Sequence, residues 1–155
     1  MMTTTRRDMI RHSAVVAGLL AGAGLLPQAA RAQALARTAF DAKNLDELMK
    51  ALGTGKPAES PLVTLTAPDI AENGAVVPLT AASTAPGVKR LLLLVEKNPA
   101  MLAASFDVSD AVEANMATRV KMGQTSNVYA VAITADNKVL FAQKEVKVTL
   151  GGCGG

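Results

Sequence analysis

From Pro61 onward, the apolar residues of the chain recur at every second position, in short segments separated by turn residues. A two-residue period is typical of strands with one buried face. The pattern predicts seven strands, which cover Leu62–Thr66, Ala75–Thr80, Lys89–Glu96, Met101–Phe106, Ala111–Met122, Ser126–Thr134 and Lys138–Leu150. A mainly β protein with about seven short strands is most simply an antiparallel two-sheet sandwich.

The boundaries between these segments carry residues that favour turns. The turn residues are Asn73-Gly74, Pro86-Gly87, Asn98-Pro99, Gly123 and Asp136-Asn137. The fifth segment has one apolar face, which predicts a half-buried strand. The residues of that face are Val112, Ala114, Met116, Val120 and Met122.

The last predicted strand changes parity along its length. Val139 and Phe141 occupy odd positions, whereas the later apolar residues occupy even ones. These later residues are Val146, Val148 and Leu150. An extra residue in one strand of a pair shifts the alternation by one position, so we predict a β-bulge near Gln143.

A short helix is predicted before the strands. Either Asp41 or Asn44 can cap its N-terminus, and Gly53 can end it. Between them, apolar residues follow at spacings of three and four, at Leu45, Leu48, Met49 and Leu52. Gly55, Pro57 and Pro61 then predict a linker, so that the helix and linker together take residues 33–60 and the sandwich takes 61–150.

The chain ends in a glycine-rich tail, Gly151-Gly152-Cys153-Gly154-Gly155, which holds its only cysteine. The four glycines have no side chains that could bury the thiol, and they leave the backbone unusually free. No second cysteine exists with which Cys153 could pair inside the chain. We therefore predict that residues 151–155 form a flexible arm whose thiol is available to other molecules.

The first 32 residues have the features of an export signal that is removed from the mature protein. Arg6 and Arg7 form a twin-arginine pair, and the 13 residues from Ala14 to Leu26 are mostly apolar. That run is shorter than the roughly 20 residues of a membrane-spanning helix. Ala30-Arg31-Ala32 predicts the cleavage site, with residues 1–34 as the second choice.

The twin arginines indicate the export route for folded proteins. A general secretory signal with two chance arginines is the alternative. Both routes lead out of a bacterial cytoplasm, and we expect a periplasmic protein that has no membrane as a partner.

Removal of the signal leaves little that could support catalysis or nucleic-acid binding. Of the 16 basic residues four lie in 1–32, and of the 13 acidic residues one does, so twelve of each sign remain. A chain with no net charge lacks the basic surface that binds phosphates. The single histidine, His12, is also removed. Without histidine, the mature chain has no usual zinc or copper ligand set and no histidine-activated nucleophile, so we expect no metal, no cofactor and no enzyme activity of its own.

The stretch Ala67–Leu79, Ala-Pro-Asp-Ile-Ala-Glu-Asn-Gly-Ala-Val-Val-Pro-Leu, together with the terminal pentapeptide and the twin-arginine signal, resembles the SoxY family. These are the sulfur-carrier subunits of the bacterial thiosulfate-oxidising (Sox) system. The resemblance implies an immunoglobulin-like sandwich that pairs with a SoxZ-like subunit as a heterodimer. It also implies that Cys153 carries thiosulfate-derived sulfur covalently between a haem-containing coupling enzyme, a sulfate-releasing hydrolase and a sulfane-oxidising enzyme.

Several alternatives stay open at the level of the sequence. Cys153 could instead link two chains of a structural or adhesive protein through a disulfide. The tail could be an attachment tag, or the glycines could mark a carrier that is activated by ATP as a thiocarboxylate. Lys144 and Lys147 could attract an anionic cargo or simply solvate a strand. The Ala67–Leu79 stretch is most simply a strand, a turn and a strand with a partner surface.

Overall fold

The helix that the leucine spacing predicts covers Leu45–Leu52 in the computed structural model, which describes residues 39–149. We label this helix α1. The side chain of Asn44 accepts a hydrogen bond from the backbone N–H of Glu47 at 2.9 Å, which caps the first turn. Gly53 ends the helix in the left-handed conformation, with φ of 68°. The predicted helix is confirmed, with Asn44 rather than Asp41 as its cap.

Residues 39–149 contain nine strands, and all seven predicted segments contribute one. The strands are β1 (Pro57–Glu59), β2 (Val63–Thr66), β3 (Ile70–Ala71), β4 (Val77–Ser83), β5 (Val88–Val95), β6 (Leu102–Asp107), β7 (Asn115–Val120), β8 (Ser126–Thr134) and β9 (Val139–Val148). The two strands that the sequence did not predict, β1 and β3, are three and two residues long. β1 lies within the predicted linker.

The strands form two sheets that pack face to face. The larger sheet has the order β1-β9-β8-β5-β6, and β3 also pairs with β9. The smaller sheet has the order β2-β4-β7. Neighbouring strands are antiparallel except that β1 and β3 run parallel to β9. The predicted two-sheet sandwich is confirmed, with two short parallel additions along one strand.

The larger sheet is buried on both of its faces. Its inner face packs against the smaller sheet, and Leu91 and Leu93 of β5 belong to that inter-sheet core. Its outer face packs against α1, where Leu48 joins Leu92 and Leu94 in a second cluster. β5 therefore has a continuous apolar run rather than an alternating one, as strands covered on both faces do.

The fifth predicted strand was too long at its beginning. β7 covers only Asn115–Val120, and the backbone N–H of Val112 donates to Ser109 in a turn before it. Val112 is 52% exposed, so its predicted place on the buried face is wrong. The reason is topological, because the chain must cross here from β6 in one sheet to β7 in the other.

The predicted bulge near Gln143 is also wrong. The register of β8 with β9 is unbroken from Ser126 opposite Val146 to Ile133 opposite Val139. The parity changes because different faces of β9 are buried along its length. Val139 packs in the outer cluster under α1, whereas Val146 packs in the inter-sheet core.

Candidate functional site at the end of the last strand

The predicted site residues lie outside the part of the chain that the structure describes. They are Cys153, the arm glycines Gly151, Gly152, Gly154 and Gly155, and the signal residues Arg6 and Arg7. The structure does describe Thr149 and the strand before it, β9. The candidate site is therefore built from the residues that hold this end of β9 and so determine where the tail begins.

One side of β9 is held by β8 and by Thr125, the residue that precedes β8. Val146 is fully buried and pairs with Ser126 at the first position of β8. Two residues further on, the backbone N–H of Val148 donates to the hydroxyl oxygen of Thr125 at 3.0 Å. The regular ladder with β8 thus ends at Val146, and a single side-chain hydrogen bond extends it.

The other side of β9 is held by the Ala67–Leu79 stretch. In this stretch, β3 runs parallel to β9, with Ile70 opposite Lys147 and Ala71 opposite Val148. The backbone N–H groups of Lys147 and Thr149 donate to the carbonyl oxygens of Asp69 and Ala71 at 3.0 and 3.1 Å. Thr149 is therefore still bound to the body of the protein, one residue beyond the end of β9.

Lys144 ties the same two segments together through its side chain. Its ammonium nitrogen lies 2.9 Å from Oδ1 of Asp69 and 2.7 Å from the carbonyl oxygen of Ala67. The hydrogen bond from Lys144, and then its charge, hold the pKa of Asp69 below the ordinary value, and the charge of Lys147 adds to this. The ammonium group of Lys144 is already paired with Asp69 and hydrogen-bonded to Ala67. The structure therefore favours a role for Lys144 at the surface of the strand over binding of an anionic cargo.

Lys147 differs from Lys144 in its surroundings. Its side chain is exposed, and it forms no ion pair within 4 Å with any residue from 39 to 149. Its position opposite Ile70 places this charge beside the start of the tail. A role for Lys147 toward an anionic cargo therefore stays a prediction.

Gly74 allows the turn after β3 to approach the end of β9. A Cβ atom at this position would overlap with the carbonyl oxygen of Met122 and would lie only 2.8 Å from Cγ1 of Val148. The backbone N–H of Met122 also donates to the carbonyl oxygen of Gly74 at 2.7 Å. Glycine is required here for close packing, since only a residue without a side chain lets the backbones come so near.

The Asn73-Gly74 turn is present, but it has a different role from the predicted one. The side chain of Asn73 accepts a hydrogen bond from the backbone N–H of Ala75 at 2.9 Å, as in an Asx turn. The strands on either side of the turn, β3 and β4, do not pair with each other. The turn carries the chain from β3, which lies beside β9, to β4 in the smaller sheet.

This arrangement limits how far the Cys153 thiol can lie from the sandwich. Cys153 follows Thr149 by four positions. A fully extended chain spans at most ~3.6 Å per residue, so the two Cα atoms can be at most about 14 Å apart. The number of residues between Thr149 and Cys153 therefore sets an upper limit on the reach of the thiol from the sandwich.

Two general properties hold for the described part of the chain. No group of three His, Cys, Asp or Glu side chains between residues 39 and 149 is arranged to hold a metal ion. None of the helices in the same part of the chain combines the length and the apolar character that crossing a membrane requires.

Comparison with known proteins identifies the family. The family model described as sulfur oxidation protein SoxY matches residues 48–153, a span that includes both the Ala67–Leu79 stretch and Cys153. The solved structure of the sulfur carrier protein SoxY from Chlorobium limicola f thiosulfatophilum is 34% identical, with a TM-score of 0.61. That match covers 68% of this chain and 94% of the Chlorobium protein.

More distant structures share the fold alone. The superoxide reductase (neelaredoxin) from Ignicoccus hospitalis has a TM-score of 0.50 at 15% identity, and the match covers 56% of this chain and 80% of that one. No curated protein matches the chain. The predicted immunoglobulin-like sandwich is confirmed, and the chain belongs to the SoxY family of sulfur oxidation proteins.

Proposed function

We propose that this chain carries thiosulfate-derived sulfur covalently on Cys153 and presents it to the enzymes of a sulfur-oxidising system. Membership of a sulfur-carrier family supports the proposal, and the family match extends through Cys153 itself. The observation that carries it is the position of this single cysteine, four residues beyond Thr149, which is hydrogen-bonded to the sandwich. A thiol so placed can enter an active site while the body of the protein stays outside.

The chemistry requires one thiol and partner enzymes that supply the rest. In the first step, the outer sulfur of thiosulfate bonds to the sulfur of Cys153, the thiol proton is released, and two electrons pass to a haem-containing enzyme. In the second step, a hydrolase adds water to the sulfonate sulfur, so that sulfate and two protons leave and Cys153 keeps a persulfide. A third enzyme then oxidises this sulfane sulfur.

The reactive form of cysteine in such a step is the thiolate, and a free cysteine has a pKa of about 8.5. A solvent-exposed thiol is therefore mostly protonated at neutral pH. We assign its activation to the coupling enzyme, because no charged residue stands within the tail. The carrier then needs no catalytic group of its own.

The carrier proposal predicts a specific covalent adduct. Reduced protein incubated with thiosulfate and the coupling enzyme is expected to gain the mass of two sulfur and three oxygen atoms, and a reductant should remove this gain. Intact-protein mass spectrometry measures it, and fragmentation assigns it to a residue. The matched control is the Cys153→Ser variant, which should gain nothing.

Two outcomes would contradict the carrier proposal. The first is the same adduct on the Cys153→Ser variant, because the sulfur would then be bound elsewhere. The second is a wild-type protein that forms only a disulfide-linked dimer under these conditions. That result would support the structural or adhesive alternative, in which Cys153 joins two chains.

A SoxZ-like subunit is the proposed permanent partner. β7 lies at one end of the smaller sheet with no further described strand beside it, and such an edge is commonly covered by another chain. The twin-arginine route exports folded proteins, so a subunit without a signal can travel with this one to the periplasm.

Shared export can be tested with the twin arginines. In a strain that expresses both subunits, Arg6→Lys together with Arg7→Lys is expected to leave both proteins in the cytoplasm, as measured by immunoblots of periplasmic and cytoplasmic fractions. Export of both by the unchanged signal is the control. If the SoxZ-like subunit still reached the periplasm in the lysine variant, shared export would be wrong.

A further inference from the structure

The contacts that hold the last three described residues are few and mostly exposed. β3 pairs over only two residues, and Ile70 in it is 56% exposed. The Lys144–Asp69 ion pair lies at the surface, with the Asp69 side chain 89% exposed. The side chain of Thr149 adds one long hydrogen bond, 3.3 Å, to the carbonyl oxygen of Glu72. Short exposed ladders of this kind open locally without unfolding the rest of a domain.

The next anchor along β9 is much stronger. Val146 is fully buried in the inter-sheet core and lies within the continuous ladder between β8 and β9. If the contacts with β3 open together with the hydrogen bond from Val148 to Thr125, Val146 becomes the last fixed residue, and Cys153 follows it by seven positions. The fully extended span grows from about 14 Å to about 25 Å. The sandwich itself stays intact, because the ladder between β8 and β9 up to Val146 does not need to break.

We propose that the segment Asp69–Gly74, which we name the clasp, is a positioning element that sets the reach of the Cys153 thiol. The closed clasp fixes Thr149 to the body and gives the short reach, and its opening gives the long one. The importance of this reach rests on the proposed carrier function, but the existence of the clasp does not. Asp69, Gly74 and Lys144 are its positioning residues, and none of them touches the sulfur.

Two features hold the clasp in place, the burial of Ala71 and the close packing of Gly74. Ala71 is 6% exposed and packs in the inter-sheet core, which fixes the clasp near its centre. Gly74 then lies directly against the carbonyl oxygen of Met122 and the side chain of Val148. A side chain at position 74 must push either the clasp or Val148 aside, so we expect it to favour the open form.

Two variants weaken the clasp, and the chain offers a matched control for each. Asp69→Asn removes the ion pair with Lys144, and Asp110→Asn removes an ion pair of similar length and exposure, between Lys89 and Asp110, elsewhere on the surface. Gly74→Ala introduces the clash with the Met122 carbonyl group. Gly123→Ala is its control, because a Cβ atom at Gly123 meets nothing within 4 Å.

Amide hydrogen exchange measures whether the clasp opens. The N–H groups of Lys147 and Thr149 donate to the clasp, so their exchange should be slowed in the wild type. We expect exchange roughly threefold faster in Asp69→Asn, as the small free energy of an exposed ion pair allows. Gly74→Ala should accelerate the exchange about tenfold or more, because overpacking costs more free energy than the loss of an exposed ion pair. Exchange in β8 and in both control variants should stay unchanged.

The reach itself is measured by pulsed electron paramagnetic resonance. Ser105 is exposed on β6, and Ser105→Cys allows one nitroxide label there and a second on Cys153. In Gly74→Ala, the far limit of the distance distribution is expected to move outward by up to about 11 Å, the length of three released residues. A contribution of Gly74 to stability alone would leave this limit unchanged.

Two results would overturn the clasp. One is wild-type exchange at Lys147 and Thr149 as fast as in unstructured peptides, because the closed form would then not exist in solution. The other is faster exchange in Gly74→Ala with an unchanged distance distribution, because opening would then not lengthen the reach. Neither measurement uses thiosulfate, so failure of the carrier proposal would leave both results interpretable.

Discussion

Moving the thiol from the tail to the sheet is expected to abolish thiosulfate oxidation although the protein keeps one exposed cysteine. The variant combines Cys153→Ser with Ser105→Cys, and Ser105 is exposed in the middle of β6. In β6 the sulfur is fixed on the surface of a rigid sheet, so it cannot enter an active site that excludes the sandwich. The measurement is electron transfer to the haem enzyme in a system reconstituted with the partner enzymes.

The expected rate is that of the same mixture without the carrier. Cys153→Ser alone should give this rate as well, because a serine hydroxyl cannot form the S–S bond that holds the cargo. The control is Ser105→Cys with Cys153 retained, which should oxidise thiosulfate at the wild-type rate when it is kept reduced. Labelling with a thiol reagent confirms that the relocated cysteine is accessible. Substantial oxidation by the relocated thiol would show that the tail is unnecessary, and the proposed carrier mechanism would be wrong.

The sequence predicted most of the fold because most elements carry local signals. α1 has a capping residue, apolar residues at helical spacing and a terminal glycine, and each signal was found where expected. β8 covers the predicted residues without any difference. The structure of such segments follows from their own residues and from one buried face. That face appears in the sequence as a two-residue period in strands and as a period of about 3.6 residues in helices.

The parts that could not be predicted depend on distant contacts. β1 and β3 are too short to show a period, and they are strands only because β9 lies beside them. The parity change in β9 predicts a bulge only because nothing local shows that α1 covers the outer face of the larger sheet. Val112 was placed in a strand because its position fits the alternation, although the chain crosses between sheets at that point.

The candidate site shows the same division. Cys153 is recognisable from the tail alone, because its glycine neighbours and its uniqueness are local facts. The clasp is not recognisable in this way, since Asp69 in the clasp and its ion-pair partner Lys144 are separated by 75 positions in the chain. The one sequence signal within it is Gly74, which the sequence predicts as a turn residue. The structure shows that Gly74 has no positive φ and instead serves close packing against Met122 and Val148.

The largest expected effect on stability comes from truncating a leucine side chain in β5. This strand contributes residues to both the inter-sheet core and the outer cluster under α1. Leu93 is fully buried between the two sheets. Leu93→Ala is expected to lower the free energy of unfolding by about 2–5 kcal/mol, because it removes apolar contacts and leaves a cavity. That is a large part of the roughly 5–15 kcal/mol typical of a domain. Urea denaturation measures it as a lower midpoint with an unchanged slope.

The neighbouring residue tests whether α1 belongs to the same cooperative unit. Leu92 is also fully buried, but it packs in the outer cluster with Leu48. If α1 and the sandwich unfold together, Leu92→Ala should destabilise by about the same 2–5 kcal/mol as Leu93→Ala. The control is Leu62→Ala, because Leu62 is 42% exposed and its truncation should change the free energy by about 0.5 kcal/mol or less.

A small effect at Leu92 beside a large one at Leu93 would contradict this expectation. It would mean that α1 separates from the sheet before the sandwich unfolds, so that the outer cluster contributes little to the global transition. Equal effects at both positions would instead establish the larger sheet as a layer held from both sides. In that arrangement β9, which leads to the tail, is fixed by α1 on one face and by the smaller sheet on the other.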